Sequence, residues 1–193
     1  MKYDPERHHR RSIRLRGYDY SETGAYFVTI CSFQRECLFG RVVDAEVELS
    51  QFGEVAASCW SAIPQHFSHV ELDCFVVMPN HVHGIVVVTE NLGGTAMPCP
   101  YGRSLQGDSG GRMRKFGDAI SGSLPTIVGS FKSAVTQKIN ILRNSPRHPV
   151  WQRNYYEHVI RNDTSLTMLR QYICNNPSSW NQDQLHPDLP SKW

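Results

Sequence analysis

Two histidines, His81 and His83, flank one valine between two apolar runs at 75–78 and 85–88. A proline and an asparagine precede the first histidine, and this pair is typical of a tight turn. The pattern predicts a buried β-hairpin with both histidines on its second strand. Side chains two residues apart on a strand share a face, so both imidazoles can point to one metal ion.

The histidine pair alone leaves two interpretations open. Two imidazoles at the start of a strand can also serve as hydrogen-bonded structural side chains. A metal site requires a third ligand, which has to come from elsewhere in the chain.

Composition limits the classes of protein to be considered. The chain has 193 residues, with 20 basic and 18 acidic side chains, and this length suggests one domain. The six cysteines include no C-x-x-C pair, so neither a zinc ribbon nor a redox motif is indicated. No apolar run resembles a signal peptide or a membrane span, so we expect a cytoplasmic protein without membrane contact.

Local composition divides the chain into four parts. Residues 1–24 form a basic arm, which is either a solvated tail or a binder of phosphate backbone. Residues 25–180 form the folded domain, which contains a Gly/Ser-rich flexible insertion over 90–122. Residues 181–193 form a polar C-terminal tail.

Hydrophobic periodicity predicts alternating strands and helices. The predicted elements are a strand over 26–33, an extended segment over 42–49, a helix over 51–63 that Pro64 ends, the hairpin over 70–78 and 81–89, a helix over 124–142, a strand near 158–160 and a helix over 164–175. This order favours an α+β fold, a ferredoxin-like sandwich in which helices pack on one face of an antiparallel sheet.

The last predicted helix carries Tyr172 and Asn176, which lie four residues apart and therefore on one helix face. An amide oxygen is a hard donor that Mg²⁺ or Mn²⁺ accepts beside imidazole. A tyrosine can act as a covalent nucleophile. The alternative is structural: Tyr172 as an aromatic at the edge of the core, and Asn176 as a helix-end residue before Pro177.

Four ordered segments resemble the HUH single-tyrosine transposases, in particular the REP-associated tyrosine transposases. They are YFVTICSFQR, VVMPNHVHGIV, VWQRNYYEHVIRND and LRQYICNNP, and the resemblance covers about residues 10–180. It implies that His81 and His83 bind Mg²⁺ or Mn²⁺, that Tyr172 attacks a phosphodiester and that Asn176 completes the metal site. It also implies a ferredoxin-like fold and a single-stranded DNA substrate, often beside a hairpin.

This resemblance gives the basic residues a role in DNA binding. The expected phosphate contacts are Arg10, Arg11, Arg14, Arg16, Lys132, Lys138, Arg143 and Arg153. Unpaired bases could stack on Tyr155 or Trp151. Each of these residues could instead be an ordinary surface charge or a core aromatic. Tyr155 and Tyr156 are rival nucleophiles, and Tyr172 is preferred because its spacing pairs it with Asn176.

The expected function is therefore a DNA transposase or endonuclease that works through a 5′-phosphotyrosine. The main alternative is a non-catalytic protein that binds single-stranded or hairpin nucleic acid on the same fold. A metal-dependent hydrolase with an activated water is a third reading, but it needs further ligands. Monomer and homodimer both remain open.

Overall fold

The computed structural model describes residues 18–90 and 120–189. The predicted DNA contacts Arg10, Arg11, Arg14 and Arg16 lie outside the described residues, and so does most of the predicted insertion.

A four-stranded antiparallel sheet organises the described chain. Its strands are β1 (Gly24–Cys31), β4 (Val70–Met78), β5 (His81–Val88) and β6 (Tyr156–Ile160), and their order across the sheet is β4-β5-β1-β6. A separate hairpin consists of β2 (Gly40–Val43) and β3 (Glu46–Leu49). The histidine strand β5 is therefore central, with a neighbour on each side.

The described residues also form four α-helices: α1 (Gln51–Ser61), α2 (Ile63–His66), α3 (Leu124–Leu142) and α4 (Asp163–Asn175). Side-chain caps fix the starts of α1 and α4. Ser50 Oγ accepts from the Gly53 amide, and Asn162 Oδ1 accepts from the Ser165 amide. These caps satisfy amide groups that have no partner within the helix.

One face of the sheet carries the main core. The inward residues of β1 and β5 alternate there, and α1 and α3 cover them with Trp60, Phe131 and Val135. Gly84 is the glycine that permits this packing, because a Cβ at that position would overlap the indole ring of Trp60. The absence of a side chain at one point on β5 thus lets α1 lie close to the sheet.

The opposite face of the sheet packs against α4. Ile173 of α4, Phe27 of β1 and Ile85 of β5 form a second, smaller buried cluster. This is the face on which odd-numbered β5 residues lie, so His81 and His83 share it. The last helix is therefore held directly over the histidine strand.

The structure confirms the α+β class, and α3 has the predicted bounds. The segment 42–49 forms a hairpin of two short strands, and Pro64 lies in the first turn of α2, a position that tolerates proline. The predicted C-terminal tail is packed where it is described, since Asp183 and Leu185 are buried. Among residues 18–90 and 120–189, no helix is long and apolar enough to cross a membrane.

Candidate active site

Strand register brings the polar residues of the site together. In the antiparallel pairing, His83 lies opposite Thr29 and His81 lies opposite Cys31. Thr29 in turn lies opposite Tyr156 on the edge strand. Directly paired residues project to the same face, so this row forms the floor of the site.

Asn80 fixes the protonation of His81. The Asn80 amide nitrogen donates to the Leu185 carbonyl at 2.7 Å and to the Arg35 carbonyl at 3.2 Å. Its oxygen therefore faces His81 Nδ1, which lies 2.8 Å away. Because this oxygen can only accept, Nδ1 carries the proton and Nε2 of the neutral ring has a free lone pair.

His83 lies between a threonine and the candidate nucleophile. Thr29 Oγ1 is 2.8 Å from His83 Nδ1, and the Tyr172 hydroxyl is 3.2 Å from His83 Nε2. When Nδ1 donates to Thr29, Nε2 accepts from Tyr172 or offers its lone pair to a ligand. Helix α4 therefore places Tyr172 next to His83, whose ring centroid is 4.4 Å from that of His81.

Asn176 lies one helical turn beyond Tyr172, as its spacing predicts. Its amide nitrogen donates to Asp183 Oδ2 at 3.0 Å. This contact orients the amide and leaves Oδ1 directed away from the carboxylate. In the described part of the chain, Asn176 Oδ1 and His81 Nε2 are both buried without a hydrogen-bond partner. Orphaned buried acceptors are costly unless something binds them.

Asp183 is the site residue that sequence reasoning missed. Ligand atoms of His81, His83 and Asp183 all lie within 4.8 Å of one another. The backbone amide of Leu185 donates to Asp183 Oδ1 at 2.6 Å, which fixes the carboxylate. A single aspartate in a polar segment does not indicate a metal site. The apolar residues Trp180 and Leu185 on either side of it do indicate that the segment packs against the domain.

Burial controls the charge of these groups. It lowers the pKa of His81 to about 3, although the nearby Asn176 side chain partly offsets this shift. Burial, and then the neighbouring His81, hold the pKa of His83 well below its ordinary value. Both imidazoles are therefore neutral at physiological pH, the form that binds a metal. Burial and then the Asp183 carboxylate raise the pKa of Tyr172 to about 12.

The donor set fits a divalent cation. Two neutral imidazoles and one amide oxygen, with a carboxylate beside them, are nitrogen and oxygen donors that divalent metal ions accept. The Nδ1 atoms of His81 and His83 contact Asn80 and Thr29, respectively. A hydrogen bond at the nitrogen that does not bind the metal is the usual way in which proteins orient ligating histidines. The two orphaned acceptors are the direct structural sign that the pocket suits a cation.

Two of the predicted DNA contacts have internal partners instead. Lys132 Nζ donates to the Gln152 carbonyl at 2.5 Å and to two further carbonyls at 3.4 Å. Burial lowers the pKa of Lys132 to about 8. Arg143 donates to Asn140 Oδ1 and to the His148 carbonyl at 2.6 and 2.8 Å. These cations hold the segment before β6 in place.

Of the remaining residues predicted to contact DNA, some are exposed on the surface and others are packed in the core. Lys138 and Arg153 are exposed, whereas Trp151 is buried and Tyr155 packs against the main core. Lys132 and Arg153 border an open cleft of about 660 Å³ between α3 and the segment 147–153. Of the two adjacent tyrosines, Tyr156 is the exposed one.

No protein-family model matches the chain. A protein of Haemophilus influenzae (strain ATCC 51907 / DSM 11121 / KW20 / Rd) is 42% identical over 187 residues, and the match spans 97% of this chain and 98% of that protein. The chain belongs to the same family as this protein. The relative is described as uncharacterized, so it assigns no activity.

Solved structures give the fold. A REP-associated tyrosine transposase bound to a REP hairpin superposes with a TM-score of 0.57 and 16% identity, over 90% of this chain and 77% of that chain. A candidate transposase from Deinococcus radiodurans R1 has 18% identity over 85% of this chain and 97% of that chain, and its TM-score of 0.40 adds no argument. The resemblance seen in the sequence is thus confirmed at the level of the fold.

Proposed function

We propose that this chain is a metal-dependent DNA strand transferase and nuclease, which cleaves and rejoins single-stranded DNA through a 5′-phosphotyrosine on Tyr172. One observation carries the proposal: the Tyr172 hydroxyl lies 3.2 Å from His83 Nε2, beside the orphaned acceptors of His81 and Asn176. The fold shared with a tyrosine transposase bound to a REP hairpin supports DNA as the substrate.

His81, His83 and Asn176 would hold the cation, and Asp183 would orient Asn176 or supply a further oxygen. When bound, Mg²⁺ or Mn²⁺ supplies positive charge that stabilises the phosphate oxygens. The protein's own contribution is to keep the imidazoles neutral and correctly oriented. Burial keeps them neutral, and Asn80 and Thr29 orient them through their contacts with the two Nδ1 atoms.

Tyr172 would supply the nucleophile. Because its pKa is raised to about 12, the hydroxyl is protonated at neutral pH and loses its proton as it attacks. The new bond joins the tyrosine oxygen to phosphorus, and the bond from phosphorus to the 3′ oxygen breaks. The 3′ oxygen takes up one proton for the one that tyrosine releases. A free 3′-hydroxyl and a 5′-phosphotyrosyl protein result.

The same step in reverse would join DNA ends. The phosphotyrosyl ester keeps the energy of the broken phosphodiester, so the chain needs no nucleotide cofactor, and its sequence has no G-x-x-x-x-G-K-[ST] loop. All five residues of the proposed site come from one chain, so a monomer would suffice for this chemistry. We place the reaction in the cytoplasm, with the basic arm, Lys138 and Arg153 as phosphate contacts.

Covalent attachment to DNA tests the proposal directly. The full chain is incubated with Mn²⁺ or Mg²⁺ and labelled single-stranded oligonucleotides from the flanks of its own gene. A denaturing gel should show a protein–DNA adduct for the wild type and for Tyr156→Phe. Tyr172→Phe should lose the adduct while binding DNA with nearly unchanged affinity. An adduct in Tyr172→Phe would show that another residue is the nucleophile.

Two other outcomes would favour the rival functions. Binding without an adduct in any divalent metal would indicate a non-catalytic nucleic-acid-binding protein. Metal-dependent cleavage that leaves no adduct would indicate a hydrolase. In the variant that combines His81→Ala with His83→Ala, both cleavage and its metal dependence should disappear.

A further inference from the structure

The exposed residues of the edge strand lie on the same face as the candidate active site. Tyr156 and His158 project to this face, since they pair with Thr29 and Phe27. Both are exposed, although their strand neighbours Glu157 and Val159 are buried. Helix α4 covers the other end of β6, where Ile160 packs with the second cluster. At the Tyr156 end of this face, beside α4, these two side chains are exposed to solvent.

Aromatic contacts link this surface to Tyr172. Phe27 lies between the two tyrosines: its ring centroid is 6.3 Å from that of Tyr156 and 6.0 Å from that of Tyr172, both edge-on. Phe27 also stacks on His83 at 5.4 Å. Tyr156 and His83 both pair with Thr29, from opposite sides of β1. Their backbones are therefore two strand spacings apart, about 10 Å. This distance is within the reach of one nucleotide.

We propose that Tyr156 stacks with an unpaired base of the DNA strand next to the phosphate that Tyr172 attacks. The inference rests on the proposed function and adds the position of the DNA strand on the protein. Tyr156 is 40% exposed, so part of its ring is accessible to solvent. Stacking on an aromatic ring tolerates any base, which suits the binding of a flexible single strand. The DNA strand would then cross the sheet along the paired residues Tyr156, Thr29 and His83.

The test compares Tyr156→Val with Tyr156→Phe on the full chain. Valine keeps the strand propensity of an edge position but removes the ring, whereas phenylalanine keeps the ring. We expect Tyr156→Val to weaken binding of the single-stranded oligonucleotide by roughly 5- to 100-fold and Tyr156→Phe by less than about 3-fold. The measurement is fluorescence anisotropy in chelator, so it does not depend on cleavage.

An abasic scan of the oligonucleotide locates the stacked base. Removal of that base should weaken binding to the wild type, with no further loss in Tyr156→Val. If every abasic position weakens the wild type and Tyr156→Val equally, Tyr156 stacks with no base and the inference is wrong. An adduct on wild-type Tyr172 would still uphold the proposed function, so the two failures are distinguishable.

A second, independent observation concerns two thiols that join α4 to β4. A β-bulge at 73–74 sets Asp73 and Cys74 opposite the single residue Ile85, which lies on the face toward α4. Asp73 accepts from Arg170 at 2.5–3.2 Å, and Cys74 Sγ lies 3.4 Å from Cys174 Sγ. Arg170 and Cys174 are one turn apart on α4, so the bulge provides two adjacent attachment points.

We infer that Cys74 and Cys174 form a disulfide when a hydroperoxide is present. Two thiols and one hydrogen peroxide give one disulfide and two waters, through a sulfenic acid on one cysteine that the other displaces. A disulfide bond is about 2.0 Å long, so the sulfurs must approach by little more than 1 Å. The cross-link would fasten α4 between Tyr172 and Asn176.

Peptide mass spectrometry after peroxide treatment tests this inference. We expect a Cys74–Cys174 peptide that is lost on reduction, and a higher melting temperature for the oxidised wild type than for oxidised Cys174→Ser. Cys37 is exposed and serves as the internal control for thiol reactivity. Oxidation of Cys37 without the Cys74–Cys174 peptide would overturn the inference.

Discussion

The side-chain oxygen of Asn80 lies 2.8 Å from Nδ1 of His81, and this contact decides which nitrogen of the buried imidazole is available to a ligand. The same amide donates to carbonyls contributed by two distant segments, at Arg35 and Leu185. Asn80 therefore joins the turn before β5, the segment after β1 and the end of the described chain at one point.

Replacement of Asn80 by alanine should lower the free energy of unfolding by about 2–4 kcal/mol. It would leave two carbonyls and one imidazole N–H without their partner, and each such loss costs about 1–3 kcal/mol where the group is buried. Urea denaturation in chelator measures the change. Ser178→Ala, which removes an exposed hydrogen bond to Asn175, is the control and should stay within about 0.5 kcal/mol. Equal effects of both substitutions would contradict this role for Asn80.

Thr29→Val should weaken Mn²⁺ binding by about 10- to 100-fold, while Thr29→Ser should bind nearly as tightly as the wild type. Valine has the shape of threonine but cannot accept from His83 Nδ1, so the imidazole loses the contact that orients it. Calorimetric titration with Mn²⁺ provides the measurement. Equal affinity in the valine and serine variants would show that Thr29 does not orient a ligand.

Gly84→Ala should destabilise the fold by about 1–3 kcal/mol, because a methyl group there would overlap the indole of Trp60. The strain comes from one ring, so the smaller side chain in Trp60→Leu should reduce it. The melting temperatures of the two single variants and the double variant form a cycle. Additive losses would place the cost of the alanine elsewhere than at Trp60.

Acid should destabilise the metal-free protein as the pH falls from about 6.5 to 3. Burial lowers the pKa of His81 to about 3 and holds that of His83 well below 6.5, so the unfolded chain binds protons in this window that the folded chain does not. The free energy of unfolding therefore falls as the pH falls. Urea midpoints in chelator between pH 7 and 4 should show this slope. His81→Gln should reduce this slope, and an unchanged slope in that variant would contradict the prediction.

The sequence predicted the regular part of the molecule well. Helix α3 was assigned its observed bounds because 19 residues of unbroken amphipathic pattern leave little ambiguity. The i,i+4 spacing of Tyr172 and Asn176 predicted that both lie on one helix face, and on that face the Tyr172 hydroxyl is 3.2 Å from His83 Nε2. These predictions succeeded because a helix repeats over short distances in the chain.

The rest depended on contacts that no local pattern records. Asp183 joins the site because the segment after α4 folds back over β5, a contact with residues about 100 positions earlier. Lys132 was predicted to contact DNA, but a cation facing three carbonyls has the same sequence signature as one facing phosphates. The bulge at 73–74 similarly depends on strand pairing, which a single strand does not reveal.

The hydrogen bond from Asn80 to Leu185 has a consequence for synthesis of the chain. It joins residues that are 105 positions apart, and Asp183 reaches the histidines from the same late segment. During translation, strands β1, β4 and β5 can pair long before the ribosome has made this segment, and α4 is also made before it. A nascent chain would therefore hold Tyr172 and its neighbours in an incomplete pocket. Under the proposed function, cleavage of DNA would therefore require that the segment with Asp183 and Leu185 has been made and has closed over the sheet.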